Sequence, residues 1–157
     1  MKTLIIYATH HGTIEKIIEI LEEKIENSVS VNIKKEKIED IKIYDAILIG
    51  GSIHVGNIQK KIKNFCVENL DELKQKRVGL FLCCMFEGEK AEEQFENAYP
   101  EELRNHAIAK GLFGGELLMN KMNFIEKIAV KKAANVTESV SKINYDAIEE
   151  FIQNIKK

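Results

Sequence analysis

Thr9-His10-His11-Gly12-Thr13-Ile14 follows an apolar run that ends at Ala8, and it precedes residues at helical spacing. Strand, short glycine-bearing turn and helix start together make an anion site. The first N–H groups of a helix have no intrahelical partner, and the helix dipole places partial positive charge there. A phosphate is held at such a place without a basic side chain. Thr9 and Thr13 add hydroxyl donors, and Gly12 lets the backbone come close. Two more polar segments close apolar runs: Gly51-Ser52-Ile53-His54-Val55-Gly56-Asn57 and Met85-Phe86-Glu87-Gly88. Neither carries lysine or arginine, so both suit an uncharged planar ring.

Missing residues exclude other chemistries. No G-x-G-x-x-G follows the first apolar run, and no G-x-x-x-x-G-K-[ST] is present, so dinucleotide and P-loop fingerprints are absent. A phosphoacceptor receiver needs carboxylates at the ends of the first and third strands, where this chain has Thr9-His10 and Gly50-Gly51. A cysteine phosphatase needs a loop closing on arginine, whereas Cys83 and Cys84 lead to Glu89 and Lys90. His10 and His11 have no third ligand at a recognisable spacing, so no metal site is assigned. They read as loop residues that present their backbone. No side chain is assigned a catalytic acid–base role.

The elements that must position these segments follow from periodicity. Lys2–Ala8 is a nearly continuous apolar run, as in a strand covered on both faces. Ile14, Ile17, Ile18, Leu21 and Ile25 mark one helix face. Val29, Val31 and Ile33 alternate with polar residues, as in an edge strand. Asp45–Gly50 and Val78–Met85 read as buried strands. Ile58, Ile62, Phe65 and Cys66 mark the next helix, and Ala91, Phe95 and Ala98 a short one closed before Pro100. Ala107–Leu118 reads as a strand despite Gly111, Gly114 and Gly115. Asn120–Ala134 reads as a basic helix, Thr137–Ser141 as irregular, and Asn144 as the cap of a last helix with Ile148, Phe151, Ile152 and Ile155 inward. Strands alternating with helices imply an α/β fold with five parallel strands in the order 2-1-3-4-5. Ligands of such sheets lie beyond the carboxyl ends of the strands, which puts all three polar segments on one rim.

The 157 residues fit one domain, 1–157. A 45% hydrophobic, 31% charged composition can bury a core, and a net charge of -2 offers no basic excess for nucleic acid. No apolar run approaches the roughly 18 residues of a membrane span, and no signal peptide opens the sequence. Three cysteines without framework spacing fit a reducing, cytoplasmic setting. Adjacent Cys83 and Cys84 point to opposite faces of their strand and read as packing.

Through Thr9–Thr13 and Ile49–Gly56, the chain resembles the flavodoxin superfamily, and within it the flavodoxin-domain family that includes menaquinone-dependent protoporphyrinogen oxidase. The resemblance runs more weakly to the C-terminus. It implies a flavodoxin-like three-layer sandwich that binds FMN non-covalently and carries electrons. The first loop, Thr9, His10, His11, Gly12, Thr13 and Ile14, would hold the phosphate. The second, Ser52, Ile53, His54, Val55, Gly56 and Asn57, would border the isoalloxazine ring, with Gly56 easing a peptide reorientation beside flavin N5. The third, Met85, Phe86, Glu87 and Gly88, would cover the other ring edge, with Phe86 as the stacking candidate. Ile14 stands where flavodoxins often have another threonine. Tryptophan is absent, and His54 and Val55 replace the arginine and tyrosine common in the protoporphyrinogen oxidase branch.

The resemblance leaves two redox readings: an electron carrier serving partner proteins, or a dehydrogenase acting on a quinone or porphyrinogen. A third reading is an interaction module without flavin. His54 reads as a ring-edge or substrate contact, or as an ordinary loop residue; Phe86 reads as a flavin contact or as core. Leu117–Ala134 either touches a membrane surface or quinone, or packs its apolar stripe on its own sheet.

Overall fold

The computed structural model describes residues 1–9, 12–117, 123–134 and 139–157. Strand β1 (Thr3–Ala8) leads to helix α1 (Thr13–Lys24) and strand β2 (Ser28–Asn32). After a 3-10 turn (Ile41–Ile43), β3 (Ala46–His54) folds back on β4 (Asn57–Ile58). Helices α2 (Lys60–Glu68) and α3 (Leu70–Leu73) lead to β5 (Arg77–Cys83). Helices α4 (Gly88–Ala98) and α5 (Glu101–His106) lead to β6 (Ala109–Leu112). Then come β7 (Gly114–Leu117), α6 (Phe124–Ala134), β8 (Val140–Ile143) and α7 (Tyr145–Lys156). The parallel sheet has the order β2-β1-β3-β5-β6, with β4 antiparallel on β3. This is the order expected of the five principal strands.

Alternation along the central strands divides the core in two. On β5, Val78, Leu80 and Leu82 join Ile62, Phe65, Phe95 and Leu103 on one face. Phe81 and Cys83 join Ile14, Ile17, Leu21, Ile148, Phe151 and Ile155, from α1 and α7, on the other. Both helices bury the stripes their spacing predicts, and the Asn144 carboxamide oxygen caps α7 by accepting from Ala147 N–H at 3.0 Å.

The rings of Phe81 and Phe113 explain two of the strand glycines. The neighbours of Phe81 in register are Gly50 on β3 and Gly111 on β6. A Cβ on Gly50 would lie 2.0 Å from the Phe81 ring, and one on Gly111 would lie 2.2 Å from the Phe113 ring. The space they leave holds three rings: Phe81 stacks on Phe113 at 5.1 Å, and Phe151 meets both edge-on. Across the sheet, the buried Tyr99 hydroxyl is within bonding distance of the carbonyls of Ile49 and Phe81, and burial pushes its pKa well up.

Four expectations need correction. The segment Gly51–Asn57 is not a loop: β3 continues to His54, and Ile53 and His54 pair with Ile58 and Asn57. Ile58 therefore belongs to β4, not to the following helix. The expected strand Ala107–Leu118 breaks after Leu112, and β7 leaves the main sheet to pair with β8. Gly114, at φ 69°, makes that break, since few side chains tolerate this backbone. Val140–Ser141, expected to be irregular, lies in β8, while residues 135–138 fall outside the described residues.

The β3–β4 hairpin turns through Val55 (φ 49°) and Gly56 (φ 78°). Left-handed backbone at both central positions is the two-residue turn that matches strand twist, and it favours Asn-Gly. A β-branched residue there is strained. Val55→Asn is expected to raise unfolding free energy by about 1 kcal/mol, measured by urea denaturation.

Candidate functional site

The carboxyl ends of β1, β3 and β5 place the three predicted segments on one rim. In the first, Thr9 Oγ accepts from Gly12 N–H at 3.4 Å, and Gly12 turns the chain at φ 83° into α1. Among the described residues, no side chain caps the backbone N–H groups at the start of α1. Ile14 is fully buried in the core, so only its N–H can serve the loop. His10 and His11 lie outside the described residues.

Two lysines flank this loop, although the sequence reading finds a phosphate loop without lysine. Lys34, just past β2, places Nζ 3.5 Å from the Thr9 carbonyl oxygen. Lys16, on α1, places Nζ 3.1 Å from both carboxylate oxygens of Glu116 on β7. The Thr13 hydroxyl also faces Glu116, at 3.5 Å, instead of standing free for an anion. Ser141 Oγ donates to the same carboxylate at 3.0 Å. Desolvation acts to raise the Glu116 pKa, but the bonds from Lys16, Ser141 and Thr13 outweigh it and hold the carboxyl below the usual glutamate range.

On the second segment, Ser52 N–H donates to Gln59 Oε1 at 3.2 Å, while Gln59 Nε2 is buried with no partner among the described residues. Val55, Gly56 and Asn57 are exposed at the tip, and Asn57 Nδ2 donates to the Val55 carbonyl. A Cβ on Gly56 would meet open space. Ile53 packs partly on the core, and His54 Nε2 lies 3.8 Å from Glu126 on α6.

In the third segment, Met85 and Phe86 are half-buried and Glu87 and Gly88 are exposed. Phe86 packs on the core and lies under Lys90 Nζ, 3.7 Å from the ring centre. Glu87 lies 3.9 Å from Lys142 on β8.

The excursion β7–α6–β8 thus meets every rim segment: Glu116 at the first, Glu126 at the second and Lys142 at the third. Sequence reasoning missed all three residues, along with Lys16, Lys34 and Gln59. The start of α6 alone carried a legible pattern, in which Asn123 and Glu126 cap each other's backbone N–H at 2.8 and 3.0 Å. Of the two readings of Leu117–Ala134, packing of the apolar stripe on the sheet is not what its described members Ile125 and Ile128 do, at 77% and 51% exposed, while residues 118–122 lie outside the described residues.

The thiols stand apart from this site. Cys66, Cys83 and Cys84 are buried and unpaired, with Cys83 and Cys84 on opposite faces as expected. Burial pushes the Cys66 thiol up to about 12, and raises Cys83 and Cys84 as well. A thiolate is the reactive form. Ellman's reagent is therefore expected to label none of them in native protein at pH 8, and all three once urea unfolds it.

A groove of about 630 Å³ between residues 33–42 and α2 includes none of the rim segments. Among the described residues, no cluster could hold a metal ion, and no helix is long and apolar enough to cross a membrane.

Comparison with known proteins agrees with this architecture. No curated protein sequence matches the chain significantly. A short-chain flavodoxin associated with a non-canonical PDU bacterial microcompartment superposes with a TM-score of 0.57 at 16% identity, covering 99% of this chain and 95% of that one. Oxidised flavodoxin 1 from Bacillus cereus gives 0.54 at 17% identity, with 99% and 95% covered. The Streptococcus pneumonia TIGR4 flavodoxin gives 0.54 at 14%, with 99% and 96% covered. These likenesses speak to the fold. The family model described as "Flavodoxin domain" matches residues 4–144. On that match the chain belongs to the flavodoxin-domain family.

Proposed function

We propose that this protein binds FMN on the rim and works as an electron carrier for redox partner proteins. The observation that carries the reading is the uncapped start of α1 behind Gly12, on the same rim as the open Val55-Gly56 turn. The first is an anion site, and the second is a glycine-eased backbone corner. Bound FMN supplies one- and two-electron redox chemistry. The chain's part is to hold and tune it. The N–H groups of Thr13 and Ile14, together with His10 and His11, take the phosphate. The hairpin from Ser52 to Asn57 borders the ring. Met85 to Gly88 covers the opposite ring edge. No acid or base is needed for electron transfer.

Lys34 sits at the phosphate end only. Lys34→Met is expected to weaken FMN binding about fivefold, a loss of ~1 kcal/mol, and to leave riboflavin binding unchanged. The difference should shrink as salt rises. Fluorescence titration of both flavins checks it.

A second reading is a dehydrogenase of the protoporphyrinogen oxidase type, acting on a quinone or porphyrinogen. Helix α6 favours it: exposed Ile125 and Ile128 stand among exposed Lys127, Lys131 and Lys132, and Glu126 ties this helix to His54 on the ring-bordering hairpin. An anaerobic redox titration of the FMN-loaded protein separates the two. Two resolved one-electron steps support the carrier. A single two-electron step, with turnover of a quinone, supports the enzyme.

A further inference from the structure

Glu116 turns its carboxylate toward the first turn of α1, with its side chain only 6% exposed. One group there engages both Thr13 Oγ and Lys16 Nζ, and Ser141 holds it from β8. Thr13 and Lys16 are the side-chain donors that this turn has to offer an anion, since Ile14 and Glu15 offer none. A hydroxyl has one hydrogen, so a Thr13 that donates to Glu116 cannot donate to a phosphate. The carboxylate stands where a phosphate oxygen would recruit the same two donors, and it adds a fixed negative charge beside that place.

We infer that Glu116 is a specificity-determining residue of the phosphate subsite: it withholds Thr13 and Lys16 from the flavin phosphate and so narrows the preference for FMN over riboflavin. This rests on the flavin reading above, but it concerns the phosphate alone. Riboflavin shares the ring and lacks the phosphate, so it reports any general damage to the site. The phosphate then depends on backbone N–H groups and Lys34, with a like charge close by. Neutralising that charge removes the repulsion and frees the Lys16 ammonium. Charges a few ångströms apart in a partly buried setting change affinity by about tenfold or more.

The test measures FMN and riboflavin affinities by fluorescence titration at low salt. Glu116→Gln is expected to raise the FMN-to-riboflavin affinity ratio about tenfold, with riboflavin affinity unchanged. Adding Lys16→Met to that variant should remove most of the gain. Ser141→Ala only loosens the carboxylate, and should raise the ratio about twofold. A folded Glu116→Gln protein whose ratio stays level or falls overturns the inference. If that variant does not fold, an unmoved ratio in Ser141→Ala overturns it instead. If wild-type protein binds neither flavin, the flavin reading falls, and this inference falls with it.

Discussion

Phe81→Ala is expected to lower the unfolding free energy by about 3–5 kcal/mol, the usual cost of removing a buried phenyl ring. Phe81 is fully buried at the centre of β5, and its loss leaves Phe113 and Phe151 facing a void. Collapse around that void is limited, because Gly50 and Gly111 beside it have no side chains to move in. Domains of this size have ~5–15 kcal/mol of stability in total. The melting temperature should therefore fall by about 10 °C or more. Thermal unfolding followed by circular dichroism reads this directly. A fall of only a degree or two would mean that the three-ring cluster is not the packed centre described here.

Gly114→Ala is the second large effect, and it acts at the base of the excursion. A Cβ on Gly114 would lie 1.8 Å from the Lys142 carbonyl oxygen, a backbone atom in the paired strand β8. The residue also sits at φ 69°. Steric overlap and left-handed backbone add, so the cost is about 2–4 kcal/mol. The strain falls on the β7–β8 pairing and not on the main sheet. Limited proteolysis should therefore cut within residues 114–143 much sooner in the variant, while the remaining sheet stays protected. Equal protease resistance in variant and wild type would contradict this placement of Gly114.

The main sheet was legible because each of its signals is local. Helical spacing of Ile14, Ile17, Ile18 and Leu21, the apolar runs of β1 and β5, and the Asn144 cap all lie within a few residues of what they predict. The three rim segments were found for the same reason, as polar residues at the ends of those runs. The hairpin was missed because its turn is Val55-Gly56, without the asparagine that announces such a turn. The pair β7–β8 was missed because Gly114 meets Ile143 across a long stretch of chain, and each strand is too short to show a period. The glycine of β6 looked like an interruption until the register placed Gly111 beside Phe81. Glu116 had no local mark at all, since its partner Thr13 is 103 residues away. A first loop read as free of lysine proved to be flanked by Lys16 and Lys34 for the same reason.

In the proposed function, the rim formed by residues 9–14, 52–57 and 85–88 binds one FMN. The most direct measurement adds flavin-free protein stepwise to FMN and follows the flavin fluorescence. Saturable quenching that ends at one FMN per chain is expected, with a weaker but similar curve for riboflavin. Fluorescence that stays at the free-FMN level with folded protein in excess would contradict it, and would leave the fold without the proposed function.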